Sequence, residues 1–167
     1  MKKILLTCFA LFLFFVFNSC RKRDNGCALE LDPAIKAPDS EIVRLQNYIT
    51  SNNITATQHP SGIFYDIITQ GSGNVPGQCT QVGVTYVGTL SSGVEFDRSN
   101  TTVFYQLGGF IYGWRIGLPL IKKGGKMKLY VPPALGYGQT DIMNNNGVVV
   151  IPKNSILVFE VNLNEVN

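Results

Sequence analysis

Residues 84–99, which read VTYVGTLSSGVEFDRS, lie at the centre of the pattern that decides the fold. Val82, Val84 and Tyr86 recur at every second position, and a period of two predicts a half-buried β-strand. The same alternation recurs in four other runs: Ile63/Tyr65/Ile67, Val103/Tyr105/Leu107, Met127/Leu129/Val131 and Leu157/Phe159/Val161/Leu163. Residues 111–118 leave room for about two helical turns. These patterns predict an α+β fold, an antiparallel sheet with a short helix on one face.

A second helix is predicted ahead of the sheet. Ser40 and Glu41 suit a helix start, one as a cap and the other as an acid in the first turn. Ile42, Leu45 and Ile49 then recur at helical spacing. We therefore expect a short helix and a linker over residues 40–61, packed on a domain that runs from 62 to 167.

The composition excludes several classes of protein. Of 167 residues, 45% are hydrophobic and 15% charged, which is enough to bury one core. Without Lys2 and Lys3, which lie in a segment we expect to be removed, 12 basic residues face 11 acidic ones, a net charge of +1. This balance predicts no nucleic-acid binding. His59 is the only histidine and no cysteine–histidine cluster has zinc spacing, so we expect no metal and no cofactor.

Residues 1–20 read MKKILLTCFALFLFFVFNSC and have the build of an export signal. Two lysines precede an apolar run of 14 residues, from Ile4 to Phe17, whereas a spanning helix needs ~20. Ser19 directly before Cys20 resembles a bacterial lipobox, in which the chain is cut before the cysteine and the thiol is acylated. We predict a signal peptide over residues 1–19; the alternatives are an uncleaved anchor and a soluble periplasmic protein.

An acylated Cys20 would attach the mature chain to a membrane, because two or three acyl chains give stable anchoring. Residues 20–39 are polar, contain two prolines and read as a flexible tether. Arg21 is not the aspartate that acts as a retention signal in some bacteria. We therefore expect the outer rather than the inner membrane of a bacterial cell envelope, with the domain in the periplasm or at the cell surface.

Two cysteines remain in the mature chain, Cys27 and Cys79. Outside the cytoplasm a disulfide between them can persist. The sequence does not show how far apart they lie, so a disulfide and two free thiols both remain open.

Six motifs stand in the order and near the spacing found in one enzyme family. They are Val84–Leu90 with Gly93, Glu95–Ser99, Tyr105–Gly108 with Ile111–Trp114, Gly124–Lys126, Pro132–Gly138, and Ile151–Val161. The region from Gly62 to Asn167 thereby resembles the FKBP-type peptidyl-prolyl cis/trans isomerases. The resemblance implies a strongly bent antiparallel sheet wrapped around the short helix, with an aromatic pocket between them.

Carried over position by position, the resemblance implies a pocket for a proline ring. Trp114 would be its floor, and Tyr86, Phe96 and Phe159 its walls. The backbone amide of Ile111 and the hydroxyl of Tyr137 would donate hydrogen bonds to substrate carbonyls, with Asp97 at the rim. The implied catalytic residues are Asp97, Tyr137, Phe96 and Phe159, and the implied substrate contacts are Tyr86, Val103, Ile111, Trp114, Val150 and Ile151.

The chain departs from the family pattern in four places. Val103 stands where an aromatic wall residue is usual, and Phe110 replaces a smaller aliphatic residue. The stretch between Gly108 and Gly113 is shorter, and the loop over residues 139–150 is longer.

Two functional hypotheses follow. The first is an isomerase that assists the folding of exported, proline-containing polypeptides. The second is a non-catalytic peptide-binding or structural lipoprotein module, which the loss of an aromatic at Val103 favours. Some relatives dimerise through long amino-terminal helices; the helix here is too short for that, so we expect a monomer.

Overall fold

The structure, a computed structural model, describes residues 31–167. Its strands are β1 (Thr57–Gln58), β2 (Phe64–Thr69), β3 (Gln81–Leu90), β4 (Glu95–Gln106), β5 (Gly125–Val131), β6 (Ile142–Met143), β7 (Val149–Ile151) and β8 (Leu157–Val166). Its helices are α1 (Asp39–Ser51) and α2 (Tyr112–Gly117). Six strands form one antiparallel sheet in the order β1-β2-β5-β8-β3-β4, and β6 pairs with β7 in a separate hairpin.

Helix α2 lies directly on the inner face of this sheet. A Cβ on Gly113 would stand 2.6 Å from the Val131 methyl groups, and one on Gly117 would stand 2.9 Å from those of Leu129. Two glycines one helical turn apart therefore let the helix approach β5 closely. The predicted alternation in β5 is confirmed, since Met127, Leu129 and Val131 are fully buried. The predicted antiparallel sheet with a short helix on one face is likewise confirmed.

Helix α1 packs on part of the opposite face of the sheet, beside Tyr130. Tyr130 follows Leu129 in β5, so its side chain points away from α2, yet it is only 4% exposed. Burial raises the pKa of Tyr130, and the charge of Asp66, followed by Tyr48 of α1, adds to that shift. The predicted apolar face of α1 is confirmed, because Ile42, Leu45 and Ile49 are all buried.

The predicted cap of α1 is wrong by two residues, because Pro38 and not Ser40 occupies the cap position. The helix begins at Asp39 rather than Ser40, and Ser40 does not cap it. Pro38 occupies the cap position with a φ of −55°, and its carbonyl accepts the N–H groups of Glu41 and Ile42 at 3.0 and 3.1 Å. The preset φ of proline suits this position, where no N–H is needed.

Residues 31–38, at the end of the predicted tether, lie on the domain. Ala37 is 3% exposed, its N–H donates to the Ser61 carbonyl at 2.9 Å, and Leu31 and Ile35 pack against the core. A tether over 20–39 is therefore too long at its carboxyl end. The predicted signal peptide over 1–19, Cys20 and Cys27 lie outside the described residues. Within residues 31–167, no helix has the length and apolar character needed to span a membrane.

Candidate functional site

Helix α2 and the strands β3, β4 and β8 surround a cavity of about 230 Å³. It brings together seven of the ten pocket residues predicted from the sequence: Tyr86, Phe96, Asp97, Ile111, Trp114, Tyr137 and Phe159. Gly109 and Phe110 complete the lining. Residues far apart in the chain therefore converge on one concave surface that is mostly aromatic.

Trp114 forms the base of this cavity. Its ring is 3% exposed and meets the rings of Tyr86 and Phe159 edge-on, each with a centroid distance of 5.2 Å. Such edge-to-face pairs add to the stabilisation gained from burial. Because Gly113 seats α2 on β5, the neighbouring Trp114 is held at a fixed depth. Among residues 31–167, nothing accepts a hydrogen bond from its buried indole N–H.

A β-bulge brings Phe96 and Asp97 to the same cavity. Gly88 lies opposite Asp97 and Thr89 lies opposite Glu95, so Phe96 is an extra residue in β4. Without the bulge, consecutive strand residues would point to opposite faces. A Cβ on Gly88 would stand 2.7 Å from the Phe96 ring, so the glycine leaves the space that this ring fills.

Three polar groups lie along one side of the cavity. The Tyr86 hydroxyl donates a 2.6 Å hydrogen bond to Asp97 Oδ2. Burial, followed by the hydrogen bond and the charge of Asp97, raises the pKa of Tyr86 well above its ordinary value. Burial, with the charge of Asp97 as a smaller cause, also raises the pKa of Tyr137. Both phenols therefore keep their protons at neutral pH and remain hydrogen-bond donors.

The backbone of Ile111 supplies a further donor beside the cavity. Ile111 precedes α2, and its carbonyl accepts the N–H groups of Trp114 and Arg115 at 3.0 and 3.1 Å. Its own N–H makes no hydrogen bond to another of the described residues. The cavity therefore combines an apolar base with donors from the main chain and from Tyr137.

Phe110 is a cavity residue that the sequence did not identify. Its ring lies 4.7 Å from that of Trp114 at an interplanar angle of 37°, and 5.6 Å from that of Tyr105. Val103, the predicted wall residue, pairs with buried Val84 and does not line the cavity. The sequence contains a signal for this role of Phe110. A large aromatic residue stands next to Ile111, while Val103, at the position where an aromatic wall residue is usual, has a small side chain.

Val150 and Ile151 also lie outside the lining of this cavity. Ile151 is 3% exposed, pairs with Ile142 in the β6–β7 hairpin and belongs to the core, against which Val150 packs. None of Val103, Val150 and Ile151 lines the cavity, and their contact with a bound substrate stays a prediction.

Two other predictions concern histidine and cysteine. His59 Nδ1 accepts the Ser61 N–H at 3.1 Å and lies 2.9 Å from Ser61 Oγ. These contacts give His59 a structural role in the turn. In the described part of the chain, no group of three histidine, cysteine, aspartate or glutamate residues is placed to hold a metal ion. Cys79 is disulfide-bonded; Cys27 lies outside the described residues, so their pairing stays a prediction.

A larger cavity, of about 570 Å³, lies between residues 31–36 and the far side of α2. None of the predicted pocket residues lines it. The smaller cavity is the better candidate because aromatic walls and oriented polar groups meet there, as in sites that hold an apolar group in one orientation.

Sequence comparison identifies the class of protein to which this fold and this site belong. Residues 73–164 match the profile of the family described as FKBP-type peptidyl-prolyl cis-trans isomerase. The match covers more than half of the chain, and the chain belongs to this family.

Among curated relatives, the FKBP-type peptidyl-prolyl cis-trans isomerase FkpA of Escherichia coli K12 is 45% identical over 109 residues, which are 64% of this chain and 38% of FkpA. A probable FKBP-type isomerase of Haemophilus influenzae is 37% identical over 123 residues, 72% of this chain and 48% of the relative. The chain spans less than half the length of these relatives.

Solved structures agree with the fold. The crystal structure of FkpA from Escherichia coli has a TM-score of 0.65 and 36% identity, covering 77% of this chain and 60% of that one. A peptidyl-prolyl cis-trans isomerase from Pseudomonas syringae has a TM-score of 0.66 and 27% identity, covering 79% of this chain and 98% of that one.

Proposed function

We propose that the chain catalyses cis/trans isomerisation of X-Pro peptide bonds, with the cavity over Trp114 as its active site. The observation that carries the proposal is the convergence of aromatic rings on a cavity of about 230 Å³ with donors along one side. Pockets for drug-sized ligands are larger, ~300–1,000 Å³. This cavity therefore suits a single ring of a peptide substrate.

The reaction requires neither a nucleophile nor a metal, because no covalent bond is made or broken. Rotation about the X-Pro bond has to overcome ~18–20 kcal/mol of lost amide resonance. Water stabilises the planar amide, whose oxygen carries more charge than that of the twisted amide. An apolar base formed by Trp114, Phe96 and Phe159 removes that water, which favours the twisted form. Stronger binding of the twisted form than of the planar one lowers the barrier.

The donors at the rim orient the substrate chain. In this proposal, the Tyr137 hydroxyl and the Ile111 N–H donate hydrogen bonds to substrate carbonyls while the proline ring lies on Trp114; both residues line the cavity. Asp97, oriented by Tyr86, faces the carbonyl of the rotating bond, where a carboxylate disfavours charge on that oxygen. These roles account for each polar group in the cavity.

A peptide assay with an isomer-specific protease tests this function. Purified chain should accelerate cleavage of the cis population of a prolyl peptide. Tyr137→Phe should reduce kcat/KM about tenfold by loosening the substrate, whereas Tyr112→Phe, the same change on an exposed ring outside the cavity, should not. If micromolar protein does not accelerate this cleavage, the isomerase function is refuted and the non-catalytic peptide-binding module remains as the functional hypothesis. The main support for that second function was the missing aromatic residue at Val103. That support is weak, because Phe110 supplies an aromatic ring to the cavity instead.

For the whole protein, we propose a lipid-anchored isomerase of the bacterial envelope that acts on exported, proline-containing polypeptides. The support is the apolar run before Cys20 and the small Ser19 preceding it. Growing cells with a labelled fatty acid should label the wild-type chain but not a Cys20→Ala variant. Fractionation of the membranes should place the labelled chain in the outer membrane; label in the inner membrane would contradict that location.

We further propose that Cys79 pairs with Cys27. The pairing would close a loop of roughly fifty residues, which contributes about 4 kcal/mol in the chain-entropy model. A peptide linked through Cys27 and Cys79 should be found by mass spectrometry after digestion without reductant. Linkage of Cys79 to any other cysteine would contradict the pairing.

A further inference from the structure

We infer that helix α1 is a brace for the active-site turn, in which Glu41 and Arg44 are positioning residues for Tyr137. The inference rests on the proposed function and adds a contribution from a helix outside the family match. Glu41 Oε2 accepts the N–H of Ala134 at 2.8 Å, and Arg44 Nη2 donates to the carbonyl of Asn154 at 2.6 Å. These bonds join α1 to segments 93 and 110 residues further along the chain.

The bond from Glu41 fixes the chain just before Tyr137. Residues Pro133–Leu135 form a 3-10 turn whose first N–H groups have no partner within the turn. Pro132 and Pro133 have no N–H, so Ala134 is the first backbone donor of this turn. A carboxylate oxygen gives it a charge-assisted bond, which is stronger than a neutral one.

The bond from Arg44 fixes the chain just after Tyr137. Asn154 has a φ of 62°, and its N–H donates to the carbonyl of Gly138 at 2.7 Å. Its side-chain Oδ1 accepts a hydrogen bond from Gln139 Nε2 at 2.5 Å. Arg44 therefore holds Asn154, which is bonded to both positions that follow Tyr137.

Tyr137 depends on these supports because it is 39% exposed and lies between two loops. The Gly138 N–H donates to the Pro133 carbonyl at 2.8 Å, which closes the turn around Tyr137 without attaching it to the sheet. Buried Leu135 packs the start of this turn on the core, and helix α1, held in place by buried Ile42 and Leu45, adds one hydrogen bond on each side of Tyr137. Glu41 and Arg44 are three positions apart and share one side of the helix.

The first readout is backbone hydrogen exchange, which is independent of catalysis. In the doubly substituted Glu41→Ala/Arg44→Met chain, amides of residues 134–139 should exchange about tenfold faster, because their local opening becomes easier. Amides of β5 should be unchanged. Asn47→Ala, a substitution on the exposed side of the same helix, should change neither. Unchanged exchange over 134–139, or equal acceleration in β5, would overturn the brace.

The second readout separates positioning of Tyr137 from general loss of structure. The double substitution should reduce kcat/KM about fivefold to tenfold in the wild-type background and not further in a Tyr137→Phe background, because coupled residues are not additive. Glu41→Gln and Arg44→Lys keep an acceptor and a donor and should restore most of the activity. An equal loss in both backgrounds would contradict the inference. If the wild-type chain shows no turnover but the double substitution still accelerates hydrogen exchange over residues 134–139, the proposed function is refuted. The structural role of α1 in holding this turn is then retained.

Discussion

The hydroxyl of Tyr86 in β3 donates a 2.6 Å hydrogen bond to the carboxylate of Asp97 in β4. Tyr86 pairs in register with Ser99, two positions beyond Asp97, so the bond runs diagonally between the strands. The Tyr86 ring also stands edge-on to Trp114. One side chain therefore connects the base of the cavity to the charged group at its rim.

Replacing Tyr86 with phenylalanine should keep the wall and release Asp97. The carboxylate would then sample orientations away from the cavity, and kcat/KM for prolyl peptides should fall about tenfold, as expected when a positioned group becomes misplaced. Tyr105→Phe makes the same change on a ring that is 57% exposed and should leave turnover unchanged. Wild-type turnover in the Tyr86→Phe chain would mean that Asp97 needs no such restraint.

Alkaline pH should reveal the burial and hydrogen bonding of the Tyr86 hydroxyl in the stability of the domain. Folding raises the pKa of Tyr86, chiefly by burial, whereas an unfolded chain releases this proton near pH ~10. The stabilisation is therefore complete below pH ~10 and is lost as pH rises above it, because the unfolded state binds fewer protons there.

Urea unfolding at about pH 8 and pH 11 measures this effect. The stability difference between the wild-type and Tyr86→Phe chains should shrink at the higher pH, while Tyr130 and Tyr137 contribute the same alkaline decline to both. A difference that stays constant would show that the Tyr86 proton is not held by the fold.

Phe110 should control which residue may precede the proline. Its ring lies over Trp114 and narrows the cavity on one side. Phe110→Val should raise kcat/KM for peptides with a bulky residue before proline, relative to alanine, by about tenfold, a ratio within the range that pocket size produces. Phe104→Val, on a ring that lies over Gly83 rather than in the cavity, should not change the ratio. An unchanged ratio for Phe110→Val would remove Phe110 from the specificity site.

A side chain at Gly113 should destabilise the fold. Alanine normally favours a helix over glycine by ~1 kcal/mol, but here its Cβ would stand 2.6 Å from the Val131 methyl groups. Gly113→Ala should therefore lower the free energy of unfolding by about 1–3 kcal/mol through overpacking, and should reduce turnover because Trp114 moves with the helix. Gly77→Ala, where the nearest atom is 3.5 Å away, serves as the control.

A second substitution identifies the cause of that loss. If contact with Val131 is responsible, Val131→Ala should cost less in the Gly113→Ala background than in the wild-type chain. Additive losses would place the strain elsewhere in α2.

The regular part of the fold was predictable because it follows a simple periodicity. In β5 and β8 every second residue is buried, as shown by Leu129 and Phe159. The apolar face of α1 follows from the spacing of Ile42, Leu45 and Ile49. The site residues were predictable only as members of an ordered motif, since each alone is an ordinary core or turn residue.

The remaining features depend on tertiary contacts, which the regular spacing of apolar residues along the sequence does not predict. Strict alternation places Phe96 and Asp97 on opposite faces, and the bulge that unites them depends on the space left at Gly88. Phe110 enters the cavity because the chain after Leu107 turns Phe110 toward Trp114. The start of α1 at Asp39 depends on Pro38, whose carbonyl replaces the predicted serine cap.

The central claim is that the cavity over Trp114 accepts a proline ring and eases rotation of the bond before it. Two-dimensional exchange NMR of a prolyl peptide with catalytic amounts of the purified chain measures that rotation directly. The account predicts exchange between cis and trans signals within about a second, and exchange at least tenfold slower in an Asp97→Leu chain that remains folded. Exchange that stays at the uncatalysed tens to hundreds of seconds, with the peptide bound, would contradict it.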